Sequence, residues 1–330
     1  MKIAVVILNW NGAKLLAQFL PSIVAYSKEA TIYVADNAST DSSLKIVKEQ
    51  FPTIKIIEND VNYGFAKGYN EALKKVEEEY YALVNSDIEV TENWLEPIIT
   101  LFEKEKEVGI IQPKILDFKR KEFFEYAGAA GGFIDKYGYP FCRGRVFETL
   151  EKDTNQYDNE TELFWASGAC FFIRKDVFRK LNGFDEDFFA HQEEIDLCWR
   201  AFNLNYKIKY TFKSTVYHVG GATLKEGNPR KTFLNFRNSL LMLTKNLPKN
   251  NLISVLFTRM ILDGIAGFQF ILKGKFGHFL AILKAHFSFY GLIFKMLKKR
   301  NGLEKQNYYY TKSIVYNYFV KNGKVFENKP

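Results

Sequence analysis

The chain has 330 residues, of which 46 are Lys or Arg and 38 are Asp or Glu, so its formal net charge is +8. An apolar fraction of 47% with 25% charged residues excludes a disordered chain and predicts two folded domains, or one large domain with an appendage. The three cysteines, Cys142, Cys170 and Cys198, are too few and too scattered for a disulfide framework or a cysteine-based zinc site. A reducing compartment is therefore expected.

Short apolar runs alternate with helical patterns in the first half of the chain. This alternation predicts βαβ units and an α/β fold with a mostly parallel sheet flanked by helices. Strands are predicted at 3–8, 31–35, 54–58 and 81–84. Helices are predicted at 13–26, 41–50, 65–79 and about 92–106.

The second half is less regular. Residues 113–165 contain several glycines typical of turns, and the tyrosine-rich stretch 308–318 has no assignable pattern. The remaining predicted elements are strands at 108–111 and 169–173, a helix at about 190–203, a strand ending at His218, and helices from about 230 to 300. We therefore predict a Rossmann-like domain over residues 1–230 and a C-terminal helical region over 231–330.

The excess positive charge lies in one apolar segment. Residues 264–300 contain seven basic residues and no acidic one, so the rest of the chain carries only +1. Charged residues interrupt the apolar runs of this segment well before the roughly 18–20 residues that a membrane-spanning helix needs. A basic helix rich in Phe, Leu and Ile is typical of the interface of an anionic membrane. The alternative is a pair of helices packed on the main domain, with their lysines facing solvent.

The chain opens directly with an apolar, β-branched run, Lys2 to Leu8, and no secretory signal precedes it. Together with the basic segment, this predicts a cytoplasmic protein bound peripherally to the inner face of the cell membrane. Nucleic acid is not an expected partner, because the globular part is nearly neutral and has no recognition motif.

Polar residues follow each of the first two strands. Residues 9–12 read Asn-Trp-Asn-Gly, so the dinucleotide fingerprint G-x-G-x-x-G is missing after the first strand, and no P-loop is present. After the second strand comes Asp36, whose carboxylate would point into the crevice where α/β sheets bind ligands and accept from a base N–H or a ribose hydroxyl. The alternative use of this loop is helix capping by residues 39–41, and both can hold together.

The ends of the third and fourth strands add groups suited to phosphate and metal. Gly64 and Lys67 stand at a predicted helix start, where backbone N–H groups and a cation favour phosphate, although such a pair is more often only a turn. Asp87 leaves the fourth strand as an oxygen ligand of the kind that Mg²⁺ or Mn²⁺ takes.

These segments, in this order, resemble glycosyltransferase family 2 proteins with the GT-A fold, and in particular the rhamnosyltransferase-like enzymes of bacterial surface polysaccharides. The resemblance covers about residues 3–240. The runs that carry it are Val5–Gly12, Asp36–Asp41, Asn62–Asn70, Asn85–Asp87, Ser167–Arg174, Gly183–Leu197 and Tyr217–Gly221.

The resemblance implies a role for each matching residue. Nucleotide binding is assigned to Asn9, Asp36, Asn37, Asn62, Gly64, Lys67, Asn70 and Asn85. Asp87 and His218 would hold the divalent cation, Mn²⁺ or Mg²⁺, although Asn85 stands where the family often has an Asp, and His218 has an alternative reading as a hydrogen-bonded histidine. The acceptor-side residues are Trp165, Gly168 and His191, of which Trp165 and His191 could equally be packing residues.

Three carboxylates on the predicted 190–203 helix are candidates for the catalytic base, namely Glu193, Glu194 and Asp196. An inverting transfer needs a carboxylate to take the proton of the acceptor hydroxyl. The resemblance implies Glu194 as that base, in a position where the family has Asp. Helical spacing also predicts an ion pair between Asp196 and Arg200, which makes Asp196 a structural support.

The predicted function is therefore inverting, metal-dependent transfer of a sugar from a nucleoside diphosphate sugar to a hydroxyl of a glycan or lipid-linked glycan, in cell-surface polysaccharide synthesis. A sugar nucleotidyltransferase is one alternative, but it would need a basic, glycine-rich loop after the first strand. A non-catalytic glycan-binding protein of the membrane surface is the other.

Overall fold

A mixed sheet of nine strands forms the centre of the protein in the computed structural model, which describes residues 2–220 and 227–327. Its main order is β11-β13-β6-β12-β4-β1-β2-β3, and β5 pairs with β13. Six of its strands run in one direction, while β5, β11 and β12 run against them. The strands are β1 (Ile3–Asn9), β2 (Ala30–Asp36), β3 (Lys55–Glu58), β4 (Tyr80–Asn85), β5 (Ile88–Val90), β6 (Val108–Asp117), β11 (Thr161–Leu163), β12 (Cys170–Arg174) and β13 (Lys207–His218).

The helices of the first half confirm the predicted βαβ pattern. They are α1 (Ala13–Tyr26), α2 (Ser43–Gln50), α3 (Gly64–Leu73) and α4 (Glu96–Lys104). The prediction of a helix over 65–79 was too long, because α3 ends at Leu73. Tyr80 pairs with Ile3 in the sheet, so the chain must leave the helix early enough to bring β4 beside β1.

Both faces of β1 are buried, which is why its sequence is apolar without alternation. Ile3, Val5 and Ile7 pack in the cluster that includes α1, while Ala4 and Val6 pack in a second cluster on the opposite face. The parallel pairing aligns Asn9 with Asp36 and therefore brings the polar ends of β1 and β2 together.

The region predicted to be irregular contains further structure. β6 extends to Asp117, and a small four-stranded antiparallel sheet follows, with its order β10-β9-β8-β7. Its strands are β7 (Gly132–Ile134), β8 (Pro140–Cys142), β9 (Arg145–Val146) and β10 (Thr149–Leu150). These strands have two or three residues each, which is too short for a hydrophobic period to be visible in the sequence.

The remaining helices are α5 (Lys175–Lys180), α6 (Glu193–Asn203), α7 (Pro229–Asn246), α8 (Leu252–Leu272), α9 (Phe276–Lys298) and α10 (Ile314–Phe319). The C-terminal elements share the core of the first domain, since Leu240 of α7 and Met296 of α9 belong to the same hydrophobic cluster as Ala4 and Val6. The tyrosine-rich stretch also lies on the main body, because Tyr308 stacks on Trp199 with ring centroids 5.0 Å apart. The division into domains at residue 230 remains a prediction.

Candidate active site

The loops after β1 and β2 are joined by a buried hydrogen-bond network. Asn9 Nδ2 donates to Asp36 Oδ1 at 2.8 Å. Ser39 donates to the same carboxylate through its amide, at 2.8 Å, and through its hydroxyl, at 2.6 Å. Asp36 is only 1% exposed, and these three hydrogen bonds from the protein satisfy much of the accepting capacity of its carboxylate. Asp36 thus fixes the geometry of this crevice.

Asp41 performs the capping that the sequence allowed for residues 39–41. Its carboxylate accepts from the Ala13 amide at the start of α1, at 3.0 Å, and from the Ser43 amide at the start of α2, at 2.9 Å. One side chain therefore satisfies otherwise unpaired N–H groups at the beginnings of two helices. Burial would raise the pKa of Asp41, but the hydrogen bond from the Ser43 hydroxyl, together with these two amides, holds it below its usual value.

The start of α3 is occupied by a carbonyl group of the protein. The amides of Phe65 and Ala66 donate to Phe189 O at 3.0 and 3.4 Å, and the Gly64 amide donates to Asn62 Oδ1 at 2.9 Å. Gly64 has a φ of +73°, and a Cβ there would lie 2.7 Å from the Phe189 ring. A phosphate that used these N–H groups would therefore have to displace Phe189.

Two of the other predicted nucleotide-binding residues, Asn37 and Asn70, tie α3 to neighbouring loops. Asn37 Nδ2 donates to Gly64 O at 2.9 Å. Asn70 donates to Phe184 O at 2.9 Å and accepts from the Phe184 amide at the same distance. The ammonium of Lys67 lies 4.2 Å from the centre of the Tyr63 ring. Asn85, at the end of β4, is partly exposed.

Strand pairing brings the two predicted metal ligands together. β5 runs antiparallel to β13, and His218 is opposite Ile88, the residue after Asp87. His218 Nε2 lies 3.2 Å from Asp87 Oδ1, and His218 Nδ1 lies 3.2 Å from Glu125 Oε1. Burial alone would lower the pKa of His218, but the charges of Glu125 and Asp87 outweigh it and raise this pKa to about 10.

The donor set of Asp87 and His218 fits a divalent cation once the imidazole of His218 has lost the proton that Glu125 and Asp87 stabilise. Adjacent ligands of an octahedral ion with bonds of about 2.0–2.1 Å are about 3 Å apart, close to the spacing of these two atoms. As the side chains stand, they pair with one another, and no group of three His, Cys, Asp or Glu residues surrounds a common metal position within 2–220 and 227–327. The protein would therefore offer two ligands to such an ion. Gly221, at the end of the histidine motif, lies outside the described residues.

The candidate bases lie at the beginning of α6. Burial raises the pKa of Glu194 to about 7. Its carboxyl carbon would be 3.7 Å from a Cβ placed on Gly168, so the predicted base and this acceptor-side glycine are neighbours. Glu193 is more deeply buried, with 4% exposure, and burial together with the charge of Glu194 raises its pKa well above the usual value.

Asp196 is fully buried and bound by three side chains. Its oxygens accept from Arg200 Nε at 2.8 Å, Lys245 Nζ at 2.9 Å and Asn246 Nδ2 at 2.8 Å. The expected ion pair with Arg200 is therefore present. Although burial opposes the charged form, Lys245 and Arg200 keep the pKa of Asp196 below its usual value. This carboxylate is anchored and is not positioned to take a proton from an acceptor.

The two aromatic residues predicted on the acceptor side have different environments. Trp165 is 3% exposed, packs against Gly132 and donates its indole N–H to Phe133 O at 2.8 Å, so it is a packing residue. His191 has a φ of +70° and precedes α6, and burial with the charge of Lys231 lowers its pKa to about 4. His191 is therefore a neutral imidazole beside the candidate base.

A comparison with protein families identifies the family of the chain. Residues 4–181, more than half of the chain, match the description "Glycosyl transferase family 2". The chain belongs to glycosyl transferase family 2. Its activity is accordingly that of a glycosyltransferase, which removes the support for the nucleotidyltransferase and non-catalytic alternatives.

Two rhamnosyltransferases are similar to this chain over about three quarters of their own length. The N-acetylglucosaminyl-diphospho-decaprenol L-rhamnosyltransferase of Mycobacterium tuberculosis is 22% identical over 233 residues, which cover 65% of this chain and 75% of that protein. The rhamnosyltransferase WbbL of Escherichia coli is 24% identical over 213 residues, covering 62% of this chain and 79% of that protein.

Solved structures show the same fold. The structure of TarS residues 1–349 from S. aureus with UDP-GlcNAc has a TM-score of 0.58 at 17% identity and covers 99% of this chain and 93% of that one. GalNAc-T7 with UDP, GalNAc and Mn²⁺ has a TM-score of 0.60 at 15% identity, covering 76% of this chain. This chain spans about half of the GalNAc-T7 chain, 48%. These likenesses confirm the predicted GT-A architecture.

Two residues of this glycosyltransferase's site were not found from the sequence. Glu125 contacts His218, but it lies in the region read as irregular, where no strand end marks it. Lys245 joins Asp196 to Asp185, at 2.9 and 2.7 Å, across about 50 residues of sequence. A lysine in an amphipathic helix is ordinarily read as a solvent-facing residue, so nothing in the pattern pointed to it.

Proposed function

We propose that this glycosyltransferase transfers a sugar from a nucleoside diphosphate sugar to a hydroxyl of a glycan or lipid-linked glycan, with inversion at the anomeric carbon. The observation that carries the proposal is the position of Glu194, a carboxylate with a pKa of about 7 beside Gly168 at the start of α6. A base poised near neutral pH is ionised enough to accept a proton and basic enough to hold it.

In a single displacement, the acceptor oxygen forms a bond to the anomeric carbon as the bond from that carbon to the diphosphate breaks. The proton of the acceptor hydroxyl moves to a carboxylate oxygen of Glu194. Burial and the charge of Glu194 raise the pKa of Glu193 well above its usual value, which disfavours a second negative charge beside the base. Asp196, Lys245 and Arg200 fix the helix that carries Glu194.

Asp87 and His218 would hold the divalent cation, Mn²⁺ or Mg²⁺. When bound, such an ion neutralises the negative charge of the diphosphate leaving group. Glu125 contacts His218 on the side away from Asp87 and orients the ring. Support for this role comes from the Mn²⁺ and UDP present in the related structure of GalNAc-T7.

The donor-side proposal rests on the crevice between β1, β2 and α3. Asn9, Asp36, Asn37 and Asn85 would form its floor around the nucleotide, and Lys67 would approach the diphosphate. The buried acceptor atom Asn9 Oδ1 has no hydrogen-bond partner among the described residues, which suits a site that takes a donor group from a ligand.

We place the reaction at the cytoplasmic face of the cell membrane, in cell-envelope polysaccharide synthesis. Support comes from the mycobacterial relative, whose name gives a decaprenol-linked diphosphate sugar as its acceptor. The enzyme would then meet a membrane-anchored acceptor at an anionic lipid surface.

The test is a transfer assay with purified protein, a panel of UDP, GDP and dTDP sugars, and a lipid-linked glycan acceptor, with and without Mn²⁺. One donor should support turnover and raise the melting temperature in the presence of Mn²⁺. Asp87→Asn should abolish the Mn²⁺-dependent part of both effects. Full turnover in EDTA would contradict the metal role, and no transfer with any donor would contradict the proposed function.

A further inference from the structure

The outer face of the α8–α9 pair is strongly apolar. On α8, exposed apolar side chains recur every three or four residues, at Ile253, Phe257, Ile261, Ile265, Phe268 and Leu272, with exposures of 50–83%. This spacing places them on one side of the helix. We call this side, together with the corresponding side of α9, the outer face.

α9 continues the outer face with the same spacing. Its exposed side chains are Phe276, Leu280, Leu283, Phe287, Tyr290 and Phe294, several of them aromatic, with exposures of 41–75%. Water-soluble proteins rarely leave so large a contiguous apolar surface uncovered. The outer face therefore has a partner.

Charged residues of α8 do not reach the outer face. Arg259 Nε pairs with Asp263 Oδ1 at 2.8 Å, and Asp263 Oδ2 lies 3.2 Å from His286 Nε2 of α9. Arg259 and Asp263 are 4% and 0% exposed, and the guanidinium of Arg259 also lies 4.0 Å from the centre of the Tyr139 ring. The charges that interrupt the sequence thus turn inward against the catalytic body.

The basic residues of segment 264–300 divide into two groups. Lys295, Lys299 and Arg300 bind other groups of the protein: both lysines bind Asp187, and Arg300 donates to Thr244 O at 2.6 Å. Four exposed lysines have ammonium groups without a hydrogen-bond or ion-pair partner among the described residues, and these are Lys273, Lys275, Lys284 and Lys298. No acidic residue occurs in this segment to balance them.

The helix pair α8–α9 packs along α7 on the side of the protein. Near the start of α9, His278 Nδ1 lies 2.7 Å from Thr232 Oγ1 of α7. Just after the end of α9, Arg300 donates to Thr244 O in the last turn of α7. Lys249–Leu272 and Phe276–Lys298 are long and apolar enough to cross a membrane, yet 28% of an apolar 18-residue stretch in each is buried inside the protein. Crossing a bilayer would break these contacts, whereas lying in its surface would keep them.

We propose that the outer face inserts into one leaflet of an anionic phospholipid bilayer, with α8 and α9 lying in the membrane plane and the four free lysines meeting the headgroups. Such in-plane helices combine apolar burial with attraction to anionic lipid. A second copy of this chain fits less well, because pairing two outer faces would bring their unbalanced lysines together. This inference deepens the proposed function, since it rests on an acceptor held at a membrane.

The contacts of α9 give this docking a direct relation to the active site. Lys299 binds both Asp185 and Asp187, and Lys295 binds Asp187. Asp185 and Asp187 lie on the segment that leads into α6, where Glu194 stands. Insertion of the outer face would therefore hold the acceptor side of the enzyme close to the bilayer surface.

The test is sedimentation with vesicles of phosphatidylcholine alone or with 30% phosphatidylglycerol, without nucleotide or acceptor. The native chain should bind the anionic vesicles at least about tenfold better than the neutral ones. A double variant, Phe257→Asp with Phe287→Asp, should lose this binding. Phe319→Asp, which changes a phenylalanine of α10 that is 58% exposed, is the matched control and should bind as the native chain does.

The lysine contribution is measured separately. Lys284→Gln with Lys298→Gln should weaken binding to anionic vesicles and make it less sensitive to salt. Equal vesicle binding by the native chain and the Phe257/Phe287 double variant would overturn the proposal. A stable dimer in lipid-free solution that the same double variant dissociates would overturn it as well.

In-plane and spanning arrangements are distinguished by Lys275→Cys, in the turn between α8 and α9. The native cysteines are buried, so a membrane-impermeant maleimide should report on this position. In-plane insertion predicts full labelling of vesicle-bound protein, whereas protection from the reagent would contradict it.

Transfer to a water-soluble acceptor should be unchanged in the Phe257/Phe287 double variant. If the native chain binds vesicles but transfers no sugar, the proposed function is contradicted and the membrane proposal is not.

Discussion

At the residue scale, two neighbouring glutamates have different environments. Glu194 is partly exposed beside Gly168 and has a pKa of about 7, whereas Glu193 is 4% exposed with a pKa well above the usual value. Only a carboxylate that reaches the acceptor and is ionised near neutral pH can serve as the base. The surroundings of the two side chains therefore favour Glu194, which the family resemblance also implied.

Glu194→Gln should reduce kcat by about 10²–10⁴-fold, because the amide cannot take the acceptor proton. Donor affinity should stay near the native value, since Glu194 lies on the acceptor side. The matched control is Glu193→Gln, which replaces a buried carboxyl with a raised pKa by a group of the same shape and should retain most activity. Steady-state kinetics of both variants checks this, and the opposite ranking would reassign the base to Glu193.

The pH dependence of transfer follows from the pKa of about 7 at Glu194. Below that value the base is protonated and inactive, so kcat/KM should rise about tenfold per pH unit up to about pH 7 and then level off. Initial rates measured from pH 5.5 to 9 at saturating Mn²⁺ provide the profile. Rates that do not change between pH 5.5 and 7 would show that a different group accepts the proton.

At the element scale, ionic contacts hold α6, α7 and α9 together. Lys245 of α7 lies 2.7 Å from Asp185 and 2.9 Å from Asp196, and its side chain is only 7% exposed. Lys299, just after α9, also binds Asp185 but is 30% exposed. The deeply buried pair of Lys245 and Asp196 couples α6, which carries Glu194, to α7. Removing either partner would leave an uncompensated charge in the interior.

Lys245→Met should destabilise the fold by about 3–5 kcal/mol, the usual result of breaking a buried ion pair from one side. Lys299→Met removes a more exposed lysine and should cost about 1 kcal/mol or less. Urea unfolding followed by circular dichroism measures both values. Equal small losses in the two variants would mean that Arg200 and Asn246 alone satisfy Asp196.

At the scale of the whole molecule, the C-terminal tail (residues 308–318) completes the hydrophobic core that also contains Ala4 and Val6 of the central sheet. Tyr308 is 2% exposed, stacks on Trp199 and donates to Lys136 O at 2.7 Å. The Ile314 amide donates to the buried carboxylate of Asp135 at 3.0 Å. The tail is therefore part of the structural unit that carries α6, and the tyrosines there are mainly structural.

Tyr308→Ala should lower the free energy of unfolding by about 3–5 kcal/mol, as is usual when a large buried aromatic side chain is truncated. Tyr316→Ala, at a tyrosine that is 50% exposed, should change it by no more than about 0.5 kcal/mol. Thermal and denaturant unfolding of the two variants tests this. Similar stabilities would show that the tail is docked only weakly.

The accuracy of the sequence predictions depends on how local the signal is. β1 to β4 were predicted within one residue or so at each end because each strand is a buried apolar run followed by polar residues. The small sheet of β7–β10 was missed because its strands are too short to show a period. Glu125 was missed for a related reason, since no neighbouring pattern sets it apart from other carboxylates in loops.

By itself, the sequence determined the α/β architecture, the family and the strand ends that carry Asp36, Asp87 and His218, because apolar periodicity and the order of short motifs are local properties of a chain. Only the tertiary structure decided which charges face inward. It paired Arg259 with Asp263 and Lys245 with Asp196, and it left four lysines beside the outer face. Burial and charge pairing depend on contacts between distant segments, so no local pattern reveals them.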